Sequence, residues 1–180
     1  MTLSLIAALD ADGAIGRTSG GLPWHLPDEA ARFRSLCAGQ WLLVGRRTAA
    51  EMTGWFRPDH RVIVLSRQAG LSAFESGSAG RPGFLAVAET VDQAISLAQS
   101  EGAPQLVVIG GAQVYEATLP RASQLILSRV ALHTGAEVRF PAVAWPEWRL
   151  VRTEPVLRDA ASGVEFHFEW WERTISCQKS

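Results

Sequence analysis

Cysteine is scarce in this chain. Cys37 and Cys177 are the only two in 180 residues, they stand far apart, and they lack ligand-like spacing. That argues against a disulfide scaffold or a thiolate metal centre and points to reduced thiols in a cytoplasmic protein. Charge of one sign is also missing. The net charge of −1 gives no electrostatic reason to expect nucleic acid or an anionic membrane surface as partner. No apolar run approaches the ~20 residues that a membrane span needs, so no membrane association is expected. Met1 to Ile6 has neither a basic n-region nor a cleavage-site pattern and reads as a first strand rather than a signal peptide. The four histidines are scattered and complete no metal set, so no metal is expected. Internal repeats and linkers are lacking, which predicts a single domain over 1–180. What is present is 47% hydrophobic and 19% charged, a balance that argues against disorder and suffices for one sizeable core.

Leu3 to Leu9 is a near-continuous apolar run, the pattern of a strand buried on both faces. Similar short runs follow at Trp41–Val44, Val62–Leu65, Phe84–Val87, Leu106–Ile109 and Leu125–Val130. Helix-like stretches lie between them. Pro27 to Leu36 opens on Pro-Asp-Glu, suited to a helix N-terminus. Thr90-Val91-Asp92-Gln93 matches a capping box, followed by Val91, Ala94, Ile95 and Ala98 at helical spacing. Alternation of this kind predicts an α/β domain with a mainly parallel central sheet of about eight strands, flanked by about four helices. The last third changes character: Trp148–Thr153 and Val164–Trp171 predict a closing antiparallel hairpin. Ser72 to Gly83, rich in Gly, Ser and Ala, reads as a surface connection.

Three loops after predicted strands could carry chemistry, because open α/β sheets bind ligands there. The first runs from Asp10 to Glu29. Four glycines loosen it, and Leu22-Pro23-Trp24 stiffens its far end. A long connection would account for it, yet loops of this length are uncommon unless functional. Glu29 starts the next helix with Phe33 on the same face. A carboxylate beside Trp24 and Phe33 is partly desolvated, which raises its pKa toward a range useful for proton transfer. Taken alone, the simpler account, that Asp28 and Glu29 complement the helix dipole, is the stronger one. The third feature, Val107 to Tyr115, passes from a strand through Gly110-Gly111 into a helix and could cradle a diphosphate, although a lone Gly-Gly is weak evidence. Gly45-Arg46-Arg47-Thr48 and Leu65-Ser66-Arg67 also follow strands and supply arginines and hydroxyls for phosphates.

Taken in order, Ser4–Leu9, Ile15-Gly16, Leu22-Pro23-Trp24-x-Leu26-Pro27-x-Glu29, Phe33, Gly45-Arg46-Arg47-Thr48, Val64-Leu65-Ser66-Arg67 and Val108-Ile109-Gly110-Gly111-Ala112-x-Val114-Tyr115 resemble the signatures of dihydrofolate reductases over roughly residues 3 to 130. Similarity is weaker through Arg139-Phe140-Pro141 and the final hairpin. The resemblance implies a monomeric, dihydrofolate-reductase-like fold and NADPH-dependent reduction of 7,8-dihydrofolate, in support of one-carbon metabolism. It makes Glu29 the catalytic carboxylate, hydrogen-bonded to the pteridine 2-amino group and N3, and Trp24 the residue that holds water beside it. It places the carbonyls of Ile6 and Ile109 at the pterin and the nicotinamide carboxamide at Ala8 and Ile15. Phe33, Met52 and Phe56 become the pocket walls, and Ser128 a hydroxyl supporting the carboxylate side. On the cofactor side it implies phosphate contacts at Arg46, Arg47 and Thr48 and a 2′-phosphate site at Ser66 and Arg67. Gly16, Leu22, Gly45, Leu65, Gly110, Gly111, Ala112, Gln113, Val114 and Tyr115 complete the groove, with Gly110-Gly111 as a cis peptide.

The chain departs from the family pattern in three places. His60 stands where the family places an arginine for the α-carboxylate of the glutamate tail. Arg61 and Arg57 are neighbours, but a shift of one residue on a strand reverses the face a side chain takes. Ala112 and Gln113 replace a third glycine and a basic residue, and the glycine-rich loop is slightly long. The alternatives are a reductase of a tailless pterin or of a riboflavin-pathway substrate, and a non-catalytic binder of NADP or pterin. The second lacks the Pro-Trp…Glu signature, and the third would need no proton donor.

Overall fold

The computed structural model describes residues 1–52, 54–68 and 82–174. The segment read as a surface connection falls outside them except for Pro82 and Gly83, and Cys177 lies outside as well. Eleven strands are present among the described residues: β1 (Thr2–Leu9), β2 (Ala14–Gly16), β3 (Trp41–Gly45), β4 (Arg61–Leu65), β5 (Phe84–Ala88), β6 (Gln105–Val108), β7 (Gln124–Val130), β8 (Val138–Arg139), β9 (Trp148–Thr153), β10 (Leu157–Arg158) and β11 (Glu165–Arg173). Four α-helices are described: α1 (Pro27–Cys37), α2 (Arg46–Glu51), α3 (Val91–Ser100) and α4 (Ala112–Thr118).

Nine strands form one sheet in the order β10-β11-β7-β1-β6-β3-β4-β5, with β9 also paired to β11. From β7 to β5 every pairing is parallel, whereas β11 runs antiparallel to β7, β9 and β10. The expected closing hairpin is therefore present, and the short β10, which follows β9 in the chain, pairs with the start of β11. The small β2–β8 pair was not foreseen; three and two residues are too few to leave a periodic signal.

Alternation along the strands sorts the core onto two faces. Leu3, Leu5, Ala7 and Leu9 of β1 and Trp41 and Leu43 of β3 join one cluster with Ala94 and Ala98 of α3 and Val114 and Tyr115 of α4. Ile6 of β1, with Leu42 and Val44 of β3, joins the other, against which Trp24, Phe33, Leu36 and Met52 pack. Helix α3 begins on its capping box, where Thr90 Oγ1 accepts the Gln93 N–H at 3.1 Å. The Gln93 side chain reaches back one residue further than the motif requires, to the Glu89 N–H at 2.8 Å. The C-terminal ends of β1, β3, β4 and β6 all open onto the same rim, where the loops singled out in the sequence meet.

Candidate active site

Helix α1 puts Glu29 in its first turn and Phe33 four residues on, so both project from one stripe. Glu29 is only 2% exposed. Burial pushes its carboxyl above the usual range, and the nearby Ser128 hydroxyl, which does not close a hydrogen bond to it, draws it the other way. Ser128 lies fully buried on β7, paired with Ala8 of β1 on one side and Phe168 of β11 on the other. Among the described residues, three buried side-chain polar atoms have no hydrogen-bond partner: Trp24 Nε1, Glu29 Oε1 and Ser128 Oγ. Protein interiors rarely leave such groups unsatisfied. One donor, one carboxylate oxygen and one hydroxyl therefore stand ready for a polar ligand.

The wall beside them is aromatic. The Phe33 ring lies 5.9 Å from Trp55, which stacks on His60 at 5.1 Å and meets Phe56 edge-on at 5.5 Å. Met52 packs on the same cluster. Phe56 is fully buried and His60 is 1% exposed, whereas Trp55 keeps part of its surface open. Trp55 thus forms the outward layer between Phe33 and the two buried rings. None of the sequence motifs includes Trp55, whose one signal in the sequence is an aromatic next to Phe56. The His60 Nδ1 accepts the Arg57 N–H at 3.1 Å. Burial lowers the His60 pKa, opposed by Asp59 and aided by Arg57, so the ring is neutral at pH 7 with its proton on Nε2. Arg61 does take the opposite face: its guanidinium lies 5.4 Å over the Trp41 ring, in the other core cluster. Arg57 is exposed beside His60.

On the other side of the rim, β3 and β6 meet at glycines. The Gly45 N–H donates to the Gly110 carbonyl at 2.7 Å, and the Gly110–Gly111 peptide is cis, as the resemblance implies. A Cβ at Gly111 would lie 2.8 Å from Thr48 Oγ1, and one at Gly45 2.9 Å from Val114 Cγ2. Only glycine fits here, because the space a Cβ would take is filled by Thr48 and Val114. Arg46 and Arg47 stand exposed at the start of α2, and Ala112 and Gln113 open α4. Val114 and Tyr115 face inward, and the Tyr115 hydroxyl donates to the Ile6 carbonyl at 2.6 Å. It thereby fixes the end of β1 beside Ala8. Ile109 donates its N–H to Leu43 and is 5% exposed. At the end of β4 Leu65 is half-buried; after it Ser66 is buried and bonded to Gln68, and Arg67 is exposed. A cavity of about 530 Å³ opens there, lined by Ser66, Gln68, Val87, Ala88, Glu89, Gln93 and Leu97. Its far wall, from β5 and α3, was not foreseen, because only sheet order brings those elements to Ser66.

The glycine-rich loop is pinned at several points. Asp10 accepts the N–H groups of Asp12, Ala14 and Thr134 and the Thr134 hydroxyl. Glu137 accepts the Thr18 N–H, and Glu51 at the end of α2 accepts the Gly21 N–H, each at 3.2 Å. Ile15 and Gly16 lie on β2, and Leu22 is 48% exposed on the rim.

This geometry has relatives. The family model for dihydrofolate reductase matches residues 2–173. Dihydrofolate reductase of Neisseria gonorrhoeae is 32% identical over 170 residues, covering 93% of this chain and 96% of that protein. That of Bacillus subtilis is 29% identical, covering 97% and 96%. Among solved structures, dihydrofolate reductase from Enterococcus faecalis complexed with NADP(H) and RAB-propyl superposes with a TM-score of 0.78 at 26% identity, over 96% of each chain. With a buried helix-borne carboxylate, a bare Gly-Gly strand end and a family match over nearly its whole length, the chain belongs to the dihydrofolate reductase family.

Proposed function

We propose that this chain reduces 7,8-dihydrofolate to 5,6,7,8-tetrahydrofolate with NADPH, and that Glu29 is the carboxylate that orients the pterin. The observation that carries the reading is the trio of unpartnered buried atoms on Trp24, Glu29 and Ser128. Glu29 Oε1 can accept from the 2-amino group and N3 of a pterin, and Trp24 Nε1 can donate to a water beside that carboxylate. The fit for the cofactor rests on the cavity beside Ser66 and on the exposed arginines that open α2 and follow β4. Arg46, Arg47 and Thr48 would hold the diphosphate, and Ser66 and Arg67 the adenosine 2′-phosphate. When bound, NADPH supplies the hydride that reaches pterin C6. The protein's share is to hold the ring against Phe33 and Trp55, to exclude water through the pinned loop, and to favour a proton at N5 through the Glu29 charge.

His60 alters how the tail is held. Its ring is stacked and neutral, and Arg61 lies on the opposite face of the sheet, so Arg57 is the cation left beside it for the tail carboxylate. This favours, as a second reading, appreciable turnover of a tailless dihydropterin. Absorbance loss of NADPH, followed with dihydrofolate and with a tailless dihydropterin, tests both. Activity with neither substrate would overturn the proposal. KM values within a few-fold of each other would show that the tail contributes little.

A further inference from the structure

Helix α1 begins without a cap of its own. Leu26 stands at its N-cap with no side-chain acceptor, and Pro27 has no N–H to offer. The acceptor for the Asp28 N–H arrives from 131 residues away, as Asp159 Oδ2 at 3.0 Å. The other oxygen of Asp159 gathers its own turn, accepting the N–H groups of Ala161 and Ser162 and the Ser162 hydroxyl at 2.9–3.1 Å. The contact is reciprocal, because Asp28 Oδ2 accepts the Ala160 N–H at 2.7 Å. Asp159 is 1% exposed. A buried carboxylate is costly unless donors meet its oxygens, and here the Asp28 N–H leads the set that holds its carboxyl below the usual range.

Nothing in pterin reduction uses this carboxylate. The Oδ1 contacts alone would close the turn, yet Oδ2 faces α1. One helical turn later Arg32 Nε donates to Glu154 Oε2 at 3.2 Å, and its Nη2 meets Oε1. Asp28 and Arg32 form one stripe of α1, bound to the C-terminal hairpin, and Glu29 and Phe33 form the adjoining stripe, toward Ser128 and Trp55. Glu154 is shared with Arg152, and on the same hairpin Arg158 pairs with Glu165, Arg149 with Glu172, Arg173 with Glu147, and Glu169 with Arg129 and His167.

We propose that Asp159 is a positioning residue for Glu29: the turn at 159–163 caps α1 in trans and sets the rotation that keeps the Glu29 carboxylate desolvated beside Ser128. This rests on the reading of Glu29 given above. The C-terminal hairpin, which touches neither proposed phosphate contact, thereby reaches the substrate side alone.

The test compares wild type with Asp159→Ala, Asp159→Asn and Asp28→Ala. Three readouts are taken: the Glu29 carboxyl titration by carbon NMR in the ligand-free protein, KM for dihydrofolate, and Kd for NADPH. In Asp159→Ala the freed helix end admits water, so the Glu29 midpoint falls by roughly half a pH unit or more. KM for dihydrofolate rises several-fold, and Kd for NADPH stays within about two-fold, as expected for a distant site. Asp159→Asn keeps an acceptor for only one of the two faces and lies between. Asp28→Ala removes only the return contact and shifts the midpoint less, in the same direction. Should Asp159→Ala fail to fold, Asp28→Ala and Asp159→Asn carry the test. An unchanged Glu29 titration and KM, with only Tm lowered, would overturn the proposal. The titration is independent of turnover, so a wild type that does not reduce dihydrofolate would count against the function and leave the positioning role to be decided by NMR.

Discussion

Glu29, Ser128 and Trp24 are set in the interior with polar atoms unpartnered, whereas Arg46, Arg47 and Arg67 stand in solvent around a strip of bare glycine backbone. On the function proposed above, one side of the groove concentrates its effect in a single desolvated acid, where electrostatic interactions are strong and every neighbour matters. The other spreads its effect over several solvated cations, each screened and each modest. The contrast explains why one substitution should cripple the first side and why the second should weaken by degrees.

The hardest blow to this contrast is Glu29→Gln. It keeps the shape and removes the anion, so turnover at pH 7 should fall by about 10²-fold or more, the scale of positioned acid–base catalysis. Part of the loss should return at low pH, where substrate is protonated in solution, and NADPH affinity should hardly move. Steady-state rates across pH 5–8 and a cofactor titration check both halves. Near-normal turnover at pH 7 would remove Glu29 from its role.

On the cofactor side, Arg67→Ala should weaken NADPH by roughly 1.5–3 kcal/mol and leave NADH nearly unaffected, because only the former carries the 2′-phosphate. Fluorescence titrations with both cofactors decide it; equal weakening would mean that Arg67 reads the diphosphate or only supports the fold. Raising salt should weaken NADPH in the same graded way.

Smaller again is the tail. Arg57→Ala should raise KM for dihydrofolate by a few-fold, the equivalent of about 1 kcal/mol, and leave a tailless dihydropterin unchanged. Arg61→Ala should change neither, because that guanidinium lies over Trp41. His60→Arg would add a cation where the ring now stacks on Trp55; tighter dihydrofolate with an unchanged tailless substrate is the expected result.

The smallest effect is on stability. Burial pushes the Glu29 carboxyl above its ordinary 4.5, so ionising it in the folded state carries a cost. Stability from this group is fully present below pH about 4.5 and is lost as pH rises through the raised range. Glu29→Gln should therefore raise Tm at pH 7 and leave it nearly unchanged at pH 4, by differential scanning calorimetry. A variant Tm equal to that of the wild type at pH 7 as well as at pH 4 would mean that Glu29 is hydrated after all.

Apolar runs separated by turn residues were enough to read the parallel strands, the capping box at Thr90 and the closing hairpin, because those signals are local and periodic. Pro27-Asp28-Glu29 and Gly110-Gly111 were legible for the same reason: a helix start and a bare strand end are properties of adjacent residues. The sequence could not show that β2 pairs with β8, that Trp55 stands outside Phe56 and His60, or that β5 and α3 wall the cavity at Ser66. Nor could it show that the cap of α1 comes from Asp159. Each of these depends on which distant segments the sheet order makes neighbours. Residue type and spacing determined what chemistry each side chain could offer; burial, and the partners that burial imposes, decided which of them offers it.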